Sequence, residues 1–291
     1  MLKMVLFFPA DIWYIILILN KQKKRERGEV NRMKNHWNDF QTDAYSGLIA
    51  ETVSFRGHDG KPVNGYWSRP LGAGPYPGIV LIPHMPGWDE WCRETCYRFT
   101  NHGYIVLCPD IYQDFGTGTP PEVSARMRDA GLVHDDSVMG DAAGCLDFLR
   151  SQPQSNGKVG VIGMCSGGRH AFLAACTVPG FDCAVDCWGG GVTASADQLT
   201  PARPKAPIDY TDQLKIPLLG IFGNDDRSPT KEDVDVLEER LKAGGKDFEF
   251  HRYEGAGHGI WYYDKPMYRQ QAAMESWNVT LDFFEQHLKT I

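Results

Sequence analysis

The sequence predicts an α/β domain built on a mostly parallel central sheet with helices on both faces. Three observations lead there. Short, continuously apolar runs recur at 78–82, 104–108 and 159–162, and such runs suit strands buried on both faces. Between them, apolar residues return every three or four positions, which is the period of a helix with one buried stripe. The two patterns alternate along 291 residues, as they do when parallel strands are joined by crossover helices.

The elements follow in order. Runs at 50–55 and 63–68, separated by Gly57-His58-Asp59-Gly60, predict an antiparallel hairpin at one sheet edge. Residues 78–82 form a central strand, and 88–101 have helical character until Gly103. The strand 104–108 closes at Pro109-Asp110. Residues 113–135 are polar, and so long a connection is expected to form a lid or binding loop. A helix over 136–150 places Val138, Ala142, Cys145 and Leu149 on one face. The strand 159–162 then runs through a tight turn into an alanine- and leucine-rich helix that ends near Pro179-Gly180.

The strand 183–188 follows, and the proline-rich stretch 200–210 is read as loop at a pocket rim. After the strand 217–222, Thr230 and Asp233 are placed to cap a helix whose stripe is Val234, Leu237 and Leu241. Gly244-Gly245 ends it. Residues 248–253 alternate as a strand. The last helix aligns Ala273, Trp277, Leu281, Phe284 and Leu288.

Composition narrows the function. A net charge of −7 argues against a nucleic-acid partner and against a generally basic membrane-binding face. The eight cysteines keep no disulfide rhythm, and the pairs Cys92/Cys96 and Cys183/Cys187 lack histidines at finger-like spacing. Packed free thiols in a reducing, cytoplasmic setting are expected, with no metal and no cofactor. Residues 1–32 stand apart: an apolar run over 4–19, broken by Pro9 and Asp11, precedes the basic cluster Lys21 to Arg27. The run is short for a membrane span. A disordered tail or a start truly at Met33 is favoured over a weak anchor, so that 33–291 form the folded domain. Membrane contact is expected only if this run inserts.

The chemistry centres on Gly163-Met164-Cys165-Ser166-Gly167. A strand–turn–helix that holds its nucleophile in a strained conformation needs residues without Cβ two before and two after it. Gly163 and Gly167 meet that spacing around Cys165, whereas centring on Ser166 would put Met164 at a glycine position. The helix N-terminus aimed at the sulfur favours thiolate. A buried structural cysteine beside a βα turn is the bland alternative. A nucleophilic cysteine needs a base and a group that orients it. Asp226 follows the strand 217–222 and His258 the strand 248–253, in the order nucleophile, acid, histidine. Asp225 competes with Asp226, since one of the two is able to act merely as a helix cap.

The segments Gly-Met-Cys-Ser-Gly-Gly, Gly-Asn-Asp-Asp and Tyr-Glu-Gly-Ala-Gly-His together resemble the dienelactone hydrolase family, from about residue 48 onward. The resemblance implies an α/β-hydrolase fold and a triad of Cys165, His258 and Asp226 that opens an ester or lactone through an acyl-enzyme. The oxyanion hole would use the N–H groups of Ser166 and Met85, leaving the Ser166 side chain incidental. Two positions depart from the family pattern. His84 stands where a glutamate meets the resting thiol, either giving Cys165 more thiolate character or simply packing. The arginines that hold a substrate carboxylate after the Pro-Asp-Ile-Tyr segment and after the histidine are replaced by Gln113-Asp114 and Gly259-Ile260-Trp261-Tyr262. Arg126, Arg128 and Arg169 are possible substitutes, with surface solvation the default for each. Trp88, Trp188, Trp261 and Tyr262, with His84, are expected around an apolar or aromatic pocket. The expected function is a hydrolase of small esters or lactones. The rivals are an acyltransferase using the same cysteine and a non-catalytic binding module of the same fold.

Overall fold

The structure, a computed structural model, describes residues 47–289 except Pro86. Eight strands form one sheet in the order β1-β2-β4-β3-β5-β6-β7-β8. β1 (Leu48–Arg56) and β2 (Pro62–Pro70) pair antiparallel at one edge, and β2 pairs antiparallel with β4 (Ile105–Pro109). From there every pairing is parallel, through β3 (Tyr76–Ile82), β5 (Ser155–Met164), β6 (Cys183–Cys187), β7 (Leu218–Gly223) and β8 (Phe248–Tyr253). The expected hairpin at a sheet edge and the mostly parallel sheet are both present.

Strand alternation divides the core into two layers. Along β3, Val80 and Ile82 face one layer and Ile79 and Leu81 the other, all four without solvent exposure. The first layer is closed by α3 (Asp135–Ser151), α4 (Ser166–Thr177) and α5 (Lys231–Ala243), through residues such as Leu149, Phe172 and Leu241. The second is closed by α1 (Glu90–Asn101) and α6 (Gln270–Phe284), where Phe99 stacks on Trp277 with ring centroids 4.7 Å apart. Each such side chain, fully buried, contributes roughly 1.5–3 kcal/mol. Thr230 caps α5 as expected, accepting the Asp233 N–H at 3.1 Å while Asp233 accepts the Thr230 N–H at 2.9 Å.

The polar connection 113–135 differs from its expectation. It contains α2 (Pro120–Asp129), started by prolines in its first turn and by Glu122, which accepts the Thr119 N–H at 2.8 Å. Only Ser124 and Met127 of this helix are buried, so its apolar stripe is too thin for periodicity to announce it. The stretch 200–210 is loop up to Ala206, and Pro207–Gln213 then winds into a 3₁₀ helix. Among the described residues no helix is long and apolar enough to cross a membrane. The apolar run of residues 4–19 and the basic cluster after it lie outside the described residues.

Candidate active site

β5 delivers Cys165 at the sheet's centre. Its backbone sits at φ 57° and ψ −123°, a region L-residues occupy only when the surroundings enforce it. The enforcement is visible. A Cβ on Gly163 would strike the carbonyl of Gly167, and one on Gly167 would strike the carbonyl of Ile82. The glycine spacing therefore allows the strand and α4 to approach as closely as the turn demands. The Cys165 N–H donates to the Cys187 carbonyl at 3.0 Å, fixing the turn to the neighbouring strand. Among the eight cysteines, Cys165 alone is partly exposed, and the other seven are buried.

Asp226 and His258 stand at the ends of β7 and β8. His258 Nδ1 donates to Asp226 Oδ2 at 2.9 Å, and Cys165 is close enough to act on the imidazole's charge. Burial opposes charge on this imidazole. The bond to Asp226 and the influence of Cys165 outweigh burial and push its pKa up to about 10. Asp226 is buried and its Oδ1 also accepts the Ser228 N–H at 2.9 Å, whereas Asp225 is exposed. The two neighbouring aspartates are thus separated by environment.

The loop after β3 carries the other predicted groups. The Met85 N–H donates to Ser166 Oγ at 3.0 Å, so the Ser166 side chain, expected to be incidental, ties this loop to the first turn of α4. Tyr112, missed in the sequence, is buried near Ser166; burial raises its phenol to about 12, against a lowering influence of the Ser166 side chain. The Ser166 N–H is a first-turn donor, which helix geometry leaves without an intrahelical acceptor.

His84 is buried and fully engaged. Its Nε2 donates to Asp89 Oδ2 at 2.9 Å and its Nδ1 to the Tyr262 hydroxyl at 2.6 Å. Burial is again overcome, by bonds to Asp89 and Cys92, and the imidazole rises to about 10. Tyr262 lies between it and Cys165, hydrogen-bonded to the one and acted on electrostatically by the other. Asp89 also caps α1, accepting the Cys92 N–H at 2.9 Å. His84, Asp89 and Cys92 bring metal-ligating atoms within 4.8 Å of one another. Each already has a protein partner, Cys92 Sγ lying 3.5 Å from the Gly87 carbonyl.

The aromatic residues divide. Trp88 is half-buried and, with Asp89, Tyr112, Gly116 and Val123, lines a cavity of about 660 Å³. Tyr262 is half-buried against Trp91, ring centroids 4.6 Å apart. Trp188 and Trp261 instead lie inside the core, packed on each other at 5.5 Å. The Trp261 indole donates to Ser276 Oγ of α6 at 2.7 Å. For these two the pocket expectation gives way to core packing, because Trp261 is held on α6 and Trp188 packs edge-on against Trp261. Of the arginines proposed as substitutes, Arg169 is buried and bidentate to Asp135, at 2.6 and 2.9 Å. Arg126 bonds the carbonyls of Phe115 and Thr117, and Arg128 is exposed.

Fold and site together define an α/β-hydrolase. More narrowly, the chain belongs to the dienelactone hydrolase family, whose model matches residues 63–288, and is with it a hydrolase of esters or lactones. A protein of Methylorubrum extorquens that bears the name carboxymethylenebutenolidase is 30% identical over 249 residues, covering 84% of each chain. A Bradyrhizobium protein that bears the name 2-oxo-3-(5-oxofuran-2-ylidene)propanoate lactonase is 25% identical, over 83% of this chain and 98% of its own. A Klebsiella pneumoniae structure described as a dienelactone hydrolase superposes with a TM-score of 0.75 at 25% identity, over 82% of this chain and 99% of that one.

Proposed function

We propose that this enzyme hydrolyses lactones or small carboxylic esters through an acyl-enzyme on Cys165, with His258 as the acid–base group and Asp226 orienting it. The observation that carries this reading is the Asp226–His258 bond of 2.9 Å, beside a cysteine held at φ 57° that helps to raise the imidazole's pKa. His258, its pKa raised to about 10, already holds the proton when sulfur attacks the carbonyl carbon. A C–S bond forms and the carbonyl electrons move to oxygen, beside the N–H groups of Ser166 and Met85. The C–O bond then breaks and the leaving alkoxide takes the proton from His258. In a lactone, that hydroxyl stays tethered to the acyl group. Water next gives a proton to His258 and attacks the thioester; the C–S bond breaks, the acid is released and the resting Cys165–His258 pair is restored.

In the resting geometry the Met85 N–H is spent on Ser166 Oγ, so the developing oxyanion must share or displace that bond. Such rearrangement between resting and reacting states is common for catalytic hydrogen bonds. The relatives' names, a butenolidase and a lactonase, support a lactone as substrate. The test is hydrolysis of p-nitrophenyl acetate, cis- and trans-dienelactone and simple lactones by wild type and Cys165→Ala. Turnover that disappears in the variant is expected. Equal turnover by both proteins would show that another residue is the nucleophile.

A further inference from the structure

We propose that Arg203, on the loop between β6 and β7, is the residue that selects an anionic substrate by pairing with a carboxylate on the acyl group bound at Cys165. This inference rests on the hydrolase reading above. It assigns the anion to a loop other than the two where the family pattern has arginines, positions occupied here by Gln113 and by residues 259–262.

Arg203 is placed by its backbone. Its N–H and carbonyl bridge to Thr200 at 2.9 and 3.1 Å. The carbonyl of Ala202, one residue earlier, accepts the N–H of Asp135 at 2.9 Å, which seats the loop on the head of α3. Asp135 in turn holds Arg169, and the Arg169 N–H donates to the Cys165 carbonyl at 3.2 Å. The loop is therefore anchored one helical turn from the nucleophile. Arg203 interacts electrostatically with Cys165, Tyr112, Arg169 and Asp135.

The charges there do not balance. Two guanidinium groups, Arg169 and Arg203, face a single carboxylate, Asp135. Asp135 is committed, with both oxygens on Arg169 and with His170 Nε2 3.3 Å from one of them. Burial pushes the pKa of His170 down to about 4, so it stays neutral and adds no further positive charge. Among the described residues the Arg203 side chain has no ion pair, and its Nε is buried without a hydrogen-bond partner. A buried guanidinium nitrogen without an acceptor is costly, and a neighbouring like charge adds to the cost. A carboxylate offered by the substrate satisfies both, and a guanidinium is built to bind it in bidentate fashion.

The test compares two esters of one leaving group, p-nitrophenyl butyrate and mono-p-nitrophenyl succinate, with wild type, Arg203→Gln and Arg203→Lys. The quantity read is kcat/KM for the anionic ester divided by kcat/KM for the neutral one. In Arg203→Gln that ratio is expected to fall about 10- to 100-fold, chiefly through KM of the anionic ester, with partial recovery in Arg203→Lys. An unchanged ratio overturns the proposal, whether both activities fall together or neither falls. If wild type cleaves neither ester, the hydrolase reading is what fails. Calorimetric titration with succinate then decides on Arg203: binding lost in Arg203→Gln supports the assignment, and equal binding in both proteins overturns it.

Discussion

Two of the histidine–aspartate pairs near Cys165, His258–Asp226 and His84–Asp89, look alike until their surroundings are compared. Each has an imidazole nitrogen 2.9 Å from a carboxylate oxygen, and in each the imidazole is raised to about 10. The His258 side chain keeps 35% exposure, and its second nitrogen has no protein hydrogen bond among the described residues. The His84 side chain keeps 8% and spends its second nitrogen on the Tyr262 hydroxyl. One imidazole can exchange its proton with a reacting group. The other has both nitrogens committed to protein and braces the loop that carries Met85 against α1. A charged, hydrogen-bonded histidine near a nucleophile is thus no sufficient sign of acid–base work, because an available nitrogen is also required.

Breaking the first pair should have the largest effect. His258→Asn and Cys165→Ala are each expected to lower kcat of ester hydrolysis at least about 10³-fold with the fold retained, as steady-state assays and circular dichroism would show. Asp226→Asn, which keeps volume but loses the charge that orients the imidazole, should cost roughly 10²- to 10⁴-fold. Asp225→Asn, on the exposed neighbour, should change kcat by less than about threefold, and a large loss there would reassign the orienting group.

Breaking the second pair should move stability more than rate. His84→Asn leaves the Asp89 carboxylate without its charged partner and is expected to cost about 1–3 kcal/mol in urea denaturation. The accompanying drop in kcat/KM is expected to stay within about tenfold. A loss as deep as that of His258→Asn would give His84 a chemical role.

The pH dependence sharpens the same contrast. The folded pKa of His84 is about 10, above its ordinary value of 6.5, because bonds to Asp89 and Cys92 overcome burial. Its contribution to stability is therefore complete below 6.5 and is lost as pH rises through about 10. Urea midpoints measured from pH 6 to 10 under reducing conditions should fall in wild type and flatten in His84→Asn. His258 adds a weaker slope of the same sign, since over a third of its side chain is screened by water. The smallest effect expected is that of Tyr262→Phe, which removes only the acceptor of His84 Nδ1 and should cost about 1 kcal/mol.

The regions that were legible in the sequence share a cause. The run into Cys165, the glycines at 163 and 167, and the cap at Thr230 and Asp233 are all decided within a few residues of chain. Strand order along β5 to β8 follows from the same local alternation, since consecutive parallel strands are joined by short crossovers. α2 escaped although Thr119, Pro120, Pro121 and Glu122 signalled its start, because a helix lying on the surface buries too little to show a period. Arg203 escaped because a polar loop offers no pattern from which to tell a solvated arginine from an enclosed one.

By itself, then, the sequence determined the order of strands and helices, the glycine frame around Cys165, and the succession Cys165, Asp226, His258 along the chain. These depend on backbone sterics and short-range periodicity, which act through neighbours in the chain. Only the tertiary structure decided which of Asp225 and Asp226 turns inward, that His84 binds Tyr262 across 178 residues, that Trp188 and Trp261 pack as core, and that Asp135 satisfies Arg169 but not Arg203. Those outcomes rest on burial and on the pairing of charges brought together from distant segments, and both are properties of the folded chain that no local stretch carries.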